Sequence, residues 1–133
     1  NVFRVSSRLN STWGGNLVDM VRGARYLQVM VEDRLVENAA RQGARLLDGL
    51  RGLAERLAVV TNPRGRGCLL AFDLPDTETR NAVRTDLWQA GLATLACGSR
   101  SIRLRPPLII GEAEVDLALE RLEQVLAARH ARA

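Results

Sequence analysis

Two segments of this 133-residue chain carry side chains that could hold an anion. The first is Asn10-Ser11-Thr12-Trp13-Gly14-Gly15-Asn16, just ahead of a stretch with helical periodicity. Its hydroxyls, its paired glycines and the start of a helix suit a phosphate. Glycine lets the backbone approach closely, and the first N–H groups of a helix point toward an anion. The same residues also make an ordinary turn, with Asn16 as the helix cap. The second segment is Ile102-Arg103-Leu104-Arg105-Pro106-Pro107-Leu108. In a strand, alternation puts Arg103 and Arg105 on one face and Ile102 and Leu104 on the other. A guanidinium is a planar fork that can grip a carboxylate through parallel hydrogen bonds, and the prolines end the strand. A solvated edge strand, its charges kept apart by water, accounts for the same residues.

The composition limits what else the chain can do. All 19 basic residues are arginine, so the chain has no lysine amine to serve as a nucleophile. The net charge is +4, but acidic residues are spread among the arginines and no block reads as a dedicated nucleic-acid surface. The few aromatics, Phe3, Trp13, Tyr26, Phe72 and Trp88, are scattered rather than interleaved as a base-stacking platform. Cys68 and Cys97 lack C-x-x-C spacing and are expected to be small buried hydrophobes. His130 sits among arginines at the end of a helical pattern, and no metal site is expected. No apolar run approaches a membrane span, so cytoplasmic residence is the default. The start at Asn1, with no initiating methionine, suits a chain that begins inside a larger reading frame.

The elements that must position these residues follow from periodicity. Leu17, Met20, Val21, Ala24, Leu27 and Val31 predict a helix of about four turns with one apolar face. A second helix is predicted through Val36, Ala39, Leu46, Leu50, Leu53 and Leu57, weakened by Gly43, Gly49 and Gly52. A third starts near Asp76 or Thr77 and runs to Gly91, with Val83, Leu87 and Ala90 inward and Trp88 anchoring a neighbouring surface. A last helix covers Glu112 to about Arg129, with acidic residues first and basic residues last, as the helix dipole prefers. Strands are expected at Leu57 to Thr61, Cys68 to Leu74, Leu92 to Ala96 and Ile102 to Arg105. Between them, Pro63-Arg64-Gly65-Arg66-Gly67 reads as a turn. The length suits one compact domain, and the element order gives an α+β fold, a small mixed sheet with packed helices.

The run Arg4-Val5-Ser6-Ser7-Arg8-Leu9-Asn10-Ser11-Thr12-Trp13-Gly14-Gly15-Asn16 resembles the segment that follows the cofactor lysine in class III, ornithine-type aminotransferases. The following Leu17-Val18-Asp19-Met20-Val21-Arg22 favours their lysine-specific branch. Arg103 followed by Pro106-Pro107-Leu108 resembles a second motif of the family, and Pro63 to Leu70 resembles its glycine-rich entry to a small-domain strand. The resemblance spans nearly the whole chain. It implies the C-terminal small domain of a fold-type I enzyme dependent on pyridoxal 5'-phosphate. Residues 1–15 would be a cofactor-phosphate segment from the large domain, 16–34 an interdomain helix and 35–133 the small domain. Thr12 and Ser11 would bind the phosphate of the cofactor held by a neighbouring subunit. Arg103 would bind the α-carboxylate of the substrate, with Arg105 as an alternative partner. The intact enzyme, a homodimer, would move the ε-amino group of L-lysine to 2-oxoglutarate. This chain would supply no catalytic residue and would not retain the cofactor alone.

Two other classes fit the residues. A free-standing α+β regulatory or nucleic-acid-binding module would use Arg64, Arg66, Arg103 and Arg105 as a basic surface. A bare oligomerisation domain would self-associate without affinity for phosphate, carboxylate or nucleic acid.

Overall fold

A computed structural model describes residues 4–6 and 12–131. The chain divides into two compact units, Asn1–Arg34 and Leu35–Ala133. Among the described residues, no helix is long and apolar enough to cross a membrane.

The first unit holds a turn over residues 12–15 and helix α1, Leu17–Glu32. Asn16 starts the helix, its side-chain oxygen accepting the N–H groups of Val18 at 2.9 Å and Asp19 at 3.3 Å. Gly15 makes the bend before the cap at φ +79, a conformation open to glycine without a steric penalty. The predicted apolar face forms, yet no residue of α1 is buried. Leu17, Val18, Met20, Val21, Leu27 and Val31 all stand exposed.

The second unit runs α2 (Leu35–Arg56), β1 (Thr61–Arg66), β2 (Leu69–Asp73), α3 (Thr77–Gln89), β3 (Leu95–Cys97), β4 (Ser101–Leu104) and α4 (Glu112–His130). The strands form one sheet in the order β1-β2-β4-β3, so the last strand in sequence lies inside it. Each pairing is antiparallel, where a mixed sheet was expected, because tight turns join β1 to β2 and β3 to β4 while α3 carries the chain across. The architecture is the α+β layer predicted from the helix and strand order.

One face of the sheet builds the core. Leu70, Phe72, Ile102 and Leu104 pack with Leu46, Leu50 and Leu53 of α2, Val83 and Leu87 of α3, and Val115, Leu122 and Leu126 of α4. The inward residues of α2, α3 and α4 recur at the three- and four-residue spacing that puts them on one stripe. Ion pairs link the helices outside this core: Arg45 holds Asp116 with both guanidinium bonds at 2.8 Å, Arg56 holds Glu123, and Arg129 of the last turn holds Asp86 of α3. The Asn38 amide donates to the carbonyls of Leu108 and Ile110, fixing to α2 the connection that leaves β4.

Several expectations change. Residues 57–60 form a buried turn rather than a strand, with Leu57, Val59 and Val60 in the core. The strand is instead the polar stretch Thr61–Arg66. Its edge position tolerates Pro63, and an irregularity between Thr61 and Arg64, with Asn62 at φ 51, absorbs the local bend. β3 starts later than predicted, at Leu95, and β4 ends at Leu104, leaving Arg105 beyond the strand. Trp88 lies on the outer face of α3 and is exposed rather than anchoring a surface. Cys97, on the edge strand β3, is exposed and Cys68 half-buried, so neither is a core residue.

Gly43 marks the tightest approach of α2 to the sheet, since a Cβ there would overlap the Gly67 carbonyl. Gly52, in the same helix, has only the flexible end of Arg56 nearby, at 3.4 Å. Gly43→Ala should therefore lower stability by about 1–3 kcal/mol or more, as overpacking does. Gly52→Ala should raise it by up to about 1 kcal/mol through helix propensity. Thermal unfolding of the two variants should shift the midpoint in opposite directions; equal shifts would contradict this packing.

Candidate functional site

The face of the sheet turned away from the core carries the polar chemistry. Ile102 and Leu104 point into the core, so alternation turns Ser101 and Arg103 the other way, beside Ala71 and Asp73 of β2. Arg103 stands opposite Ala71 on one side and Leu95 on the other, and Arg64 of β1 pairs with that same Ala71. One transverse row thus reads Arg64, Ala71, Arg103, Leu95. The adjoining row sets Asp73 opposite Ser101, and Ser101 opposite Cys97.

Asp73 is a carboxylate in a sheet interior, only 5% exposed. Its Oδ1 accepts the Ser101 hydroxyl at 2.5 Å and an Arg64 guanidinium N–H at 2.8 Å. Its Oδ2 accepts the Asn62 amide at 3.0 Å and lies 3.9 Å from the Arg100 Nε. Burial pushes this carboxyl up, but the Ser101, Asn62 and Arg64 hydrogen bonds and the Arg64 charge outweigh it and hold it at about 2. Arg64 is fixed in turn, since it also donates to the Asn62 carbonyl at 3.0 Å and to the Ser101 hydroxyl oxygen at 3.1 Å. From the other side, buried Arg80 of α3 donates to the Gly98 carbonyl at 3.1 Å and braces the turn between β3 and β4.

Arg103 differs from this satisfied cluster. It is half-buried, its Nε is buried without a hydrogen-bond partner, and no carboxylate among the described residues pairs with it. Buried donors are ordinarily satisfied, and the Arg103 Nε on β4 retains unused donor capacity. A planar carboxylate fits that donor set. Arg105 is exposed just past the strand and Arg66 is exposed on β1. Leu69 and Leu95 leave apolar surface on the strands, each exposed.

Thr12 belongs to the other compact unit, exposed in the turn that precedes the capped N-terminus of α1. Its hydroxyl, the glycine bend and the helix start are all there, although Asn16 spends its side chain on the cap. Ser11 lies outside the described residues. The sequence singles out Thr12 and Arg103, and each occupies its own unit. The Asp73, Ser101 and Asn62 cluster escapes notice in the sequence, where the only signal is an acidic residue ending the otherwise apolar strand Leu69-Leu70-Ala71-Phe72-Asp73.

Burial pushes the Cys68 thiol up, away from the reactive thiolate. Among the described residues, no group of His, Cys, Asp and Glu is placed to hold a metal ion.

The chain matches known proteins along nearly its whole length. The family described as "Aminotransferase class-III" matches residues 1–126. The L-lysine-epsilon aminotransferase of Amycolatopsis lactamdurans is 50% identical over 131 residues, which is 97% of this chain and 29% of that protein. The L-lysine-epsilon aminotransferase of Streptomyces clavuligerus is 50% identical over 124 residues, covering 92% of this chain and 27% of that protein. A solved lysine aminotransferase from M. tuberculosis superposes with a TM-score of 0.84 at 45% identity, over 96% of this chain and 30% of that one. The chain thus spans less than a third of the length of these relatives.

Because the Asp73 carboxyl is held at about 2 against an ordinary 3.8, its cluster contributes stability above the higher value, and that contribution is lost as pH falls through the lower. Wild type should be more stable than Asp73→Asn at pH 5 and above. The gap should close as pH falls below about 4. Denaturant midpoints of both proteins across this range measure it, and a pH-independent gap would remove the charged cluster from the account.

Proposed function

The chain belongs to the class-III aminotransferase family, and from that membership we propose that it is the C-terminal portion of a pyridoxal-phosphate enzyme transferring the ε-amino group of L-lysine to 2-oxoglutarate. The products would be 2-aminoadipate 6-semialdehyde and glutamate. The observation that carries the proposal is the open guanidinium of Arg103, with its buried and unpartnered Nε. Identities of 50% to the two lysine-epsilon aminotransferases support the choice of amino donor.

Pyridoxal phosphate, when bound, supplies the electron sink for amino transfer, and the protein supplies binding and orientation. Only part of what such a cofactor needs fits this chain. With no lysine in 133 residues, the covalent anchor must come from elsewhere in the enzyme. Thr12 fits a phosphate contact, since its exposed hydroxyl stands beside a glycine bend at the mouth of a capped helix. Thr12, with Ser11 next to it, would reach the phosphate of the cofactor held by a second subunit. Arg103 would hold the α-carboxylate of the oxo or amino acid.

We assign residues 1–15 to a segment of the large domain, 16–34 to an interdomain helix and 35–133 to the small domain. The uncovered apolar face of α1 supports this assignment, because contiguous exposed apolar surface marks a place where other protein packs. A homodimer in the cytoplasm follows from the same reading.

In the full-length enzyme, Arg103→Ala should raise the KM for 2-oxoglutarate roughly 10- to 100-fold, the scale of a lost bidentate charged pair. Thr12→Ala should weaken cofactor retention on dialysis about tenfold, one hydrogen bond to a charged group. The 133-residue chain alone should neither retain pyridoxal phosphate nor transfer an amino group. Turnover by the isolated chain would end the proposal, and an unchanged KM would remove Arg103 from the site.

A further inference from the structure

Asp73 and Arg103 share one face of the sheet on adjacent strands. Asp73 pairs with Ser101, the residue two before Arg103, while Arg103 pairs with Ala71, the residue two before Asp73. They are diagonal neighbours, a separation that long side chains span. Ala71, between Arg64 and Arg103, is too small to screen them. A charged, buried carboxylate therefore lies within range of a guanidinium that must stay open if it is to take a substrate. Arginine and aspartate so placed would ordinarily pair.

They do not; Asp73 is held by Arg64 instead. Its Nη1 lies 2.8 Å from the Asp73 Oδ1, and two further bonds, to the Asn62 carbonyl and the Ser101 hydroxyl oxygen, keep it there. Asn62 and Ser101 occupy the remaining near positions on the carboxylate, and the Arg100 Nε stands farther off, 3.9 Å from Oδ2. We propose that Arg64 is a positioning residue that acts through Arg103: by occupying Asp73 it keeps this carboxylate from capturing Arg103, and so leaves Arg103 available to the carboxylate of a substrate. The inference rests on the reading of Arg103 given above. It assigns Arg64 no contact with substrate, and it makes Asp73 a competitor that matters only when Arg64 is gone.

A structural clamp and a guarded competitor predict different patterns. If the pair merely braced the sheet, removing either member would do the same damage. If Arg64 guards Arg103, only its own loss is harmful, and deleting the Asp73 charge as well repairs it. The test is steady-state amino transfer in the full-length enzyme for wild type, Arg64→Ala, Asp73→Asn, the double variant and Arg103→Ala. Arg64→Ala should raise the KM for 2-oxoglutarate about tenfold with kcat little changed, the scale of one charge-assisted pair in competition. Asp73→Asn alone should stay within about twofold of wild type, and the double variant should return to that level. Where Arg64→Ala does not fold, Arg64→Gln, which keeps a donor toward Asp73 but no charge, carries the same comparison. Equal rises for Arg64→Ala and Asp73→Asn, no rise for Arg64→Ala, or no repair in the double variant would each overturn the inference while leaving Arg103 in place. An Arg103→Ala enzyme with unchanged KM would instead overturn the reading beneath it.

Discussion

Strand β4 has to satisfy two solvents at once, and the period of a strand is what lets it. Its side chains alternate, so burying Ile102 and Leu104 in the core forces Ser101 and Arg103 onto the opposite face. Because β4 lies between β2 and β3 rather than at an edge, pairing on both sides fixes that register, and a slip by one residue would put the Arg103 guanidinium in the core. The placement of the open arginine is thus a by-product of how the core is filled. Asn38, the Arg45 and Arg56 ion pairs and Arg80 hold the ends of this arrangement from the helices.

A second requirement follows from putting charge on that face. A carboxylate taken from water needs every lone pair met, and the Asp73 site meets it with a hydroxyl, an amide and a guanidinium. Such a closed network stabilises by what remains after the cost of drying its members, and the low Asp73 value shows that the balance favours the charged form. What it does on this sheet is partition charge: Arg64 is spoken for and Arg103 is not. Two arginines opposite one alanine would otherwise be equivalent.

The helices were legible because their apolar residues repeat at a spacing no other structure satisfies. Leu46, Leu50 and Leu53, or Val115, Leu122 and Leu126, announce α2 and α4 without any partner in view. The Asp76 cap likewise announces the start of α3. β1 was not legible. Apolar Leu57, Val59 and Val60 imitate a strand while filling the core from a turn, and the true strand consists of turn-forming residues held only by pairing with β2. Tertiary context decided both cases. The candidate residues divide the same way. Thr12 and Arg103 lie within short contiguous motifs, so the sequence alone can nominate them. The Arg64, Asp73 and Ser101 cluster joins residues from three strands, so it becomes visible only once the pairing of β1, β2 and β4 is known.

The absence of lysine gains meaning once the proposed chemistry is set beside it. A lysine could grip a carboxylate as a point charge, but its amine also condenses with carbonyl groups whenever burial strips its proton. An enzyme whose cofactor carries an aldehyde, and whose product is a semialdehyde, has reason to keep every stray amine away from them. Arginine removes the conflict, for a guanidinium stays charged at any working pH and binds a carboxylate without competing as a nucleophile. The carboxylate it grips keeps its charge throughout amino transfer, so most of that grip is felt alike in ground and transition states and governs how well substrate binds more than how fast bound substrate reacts. Under the proposed chemistry, a domain whose cations are all arginine would serve recognition, and the reactive amine would be confined to a lysine elsewhere in the enzyme.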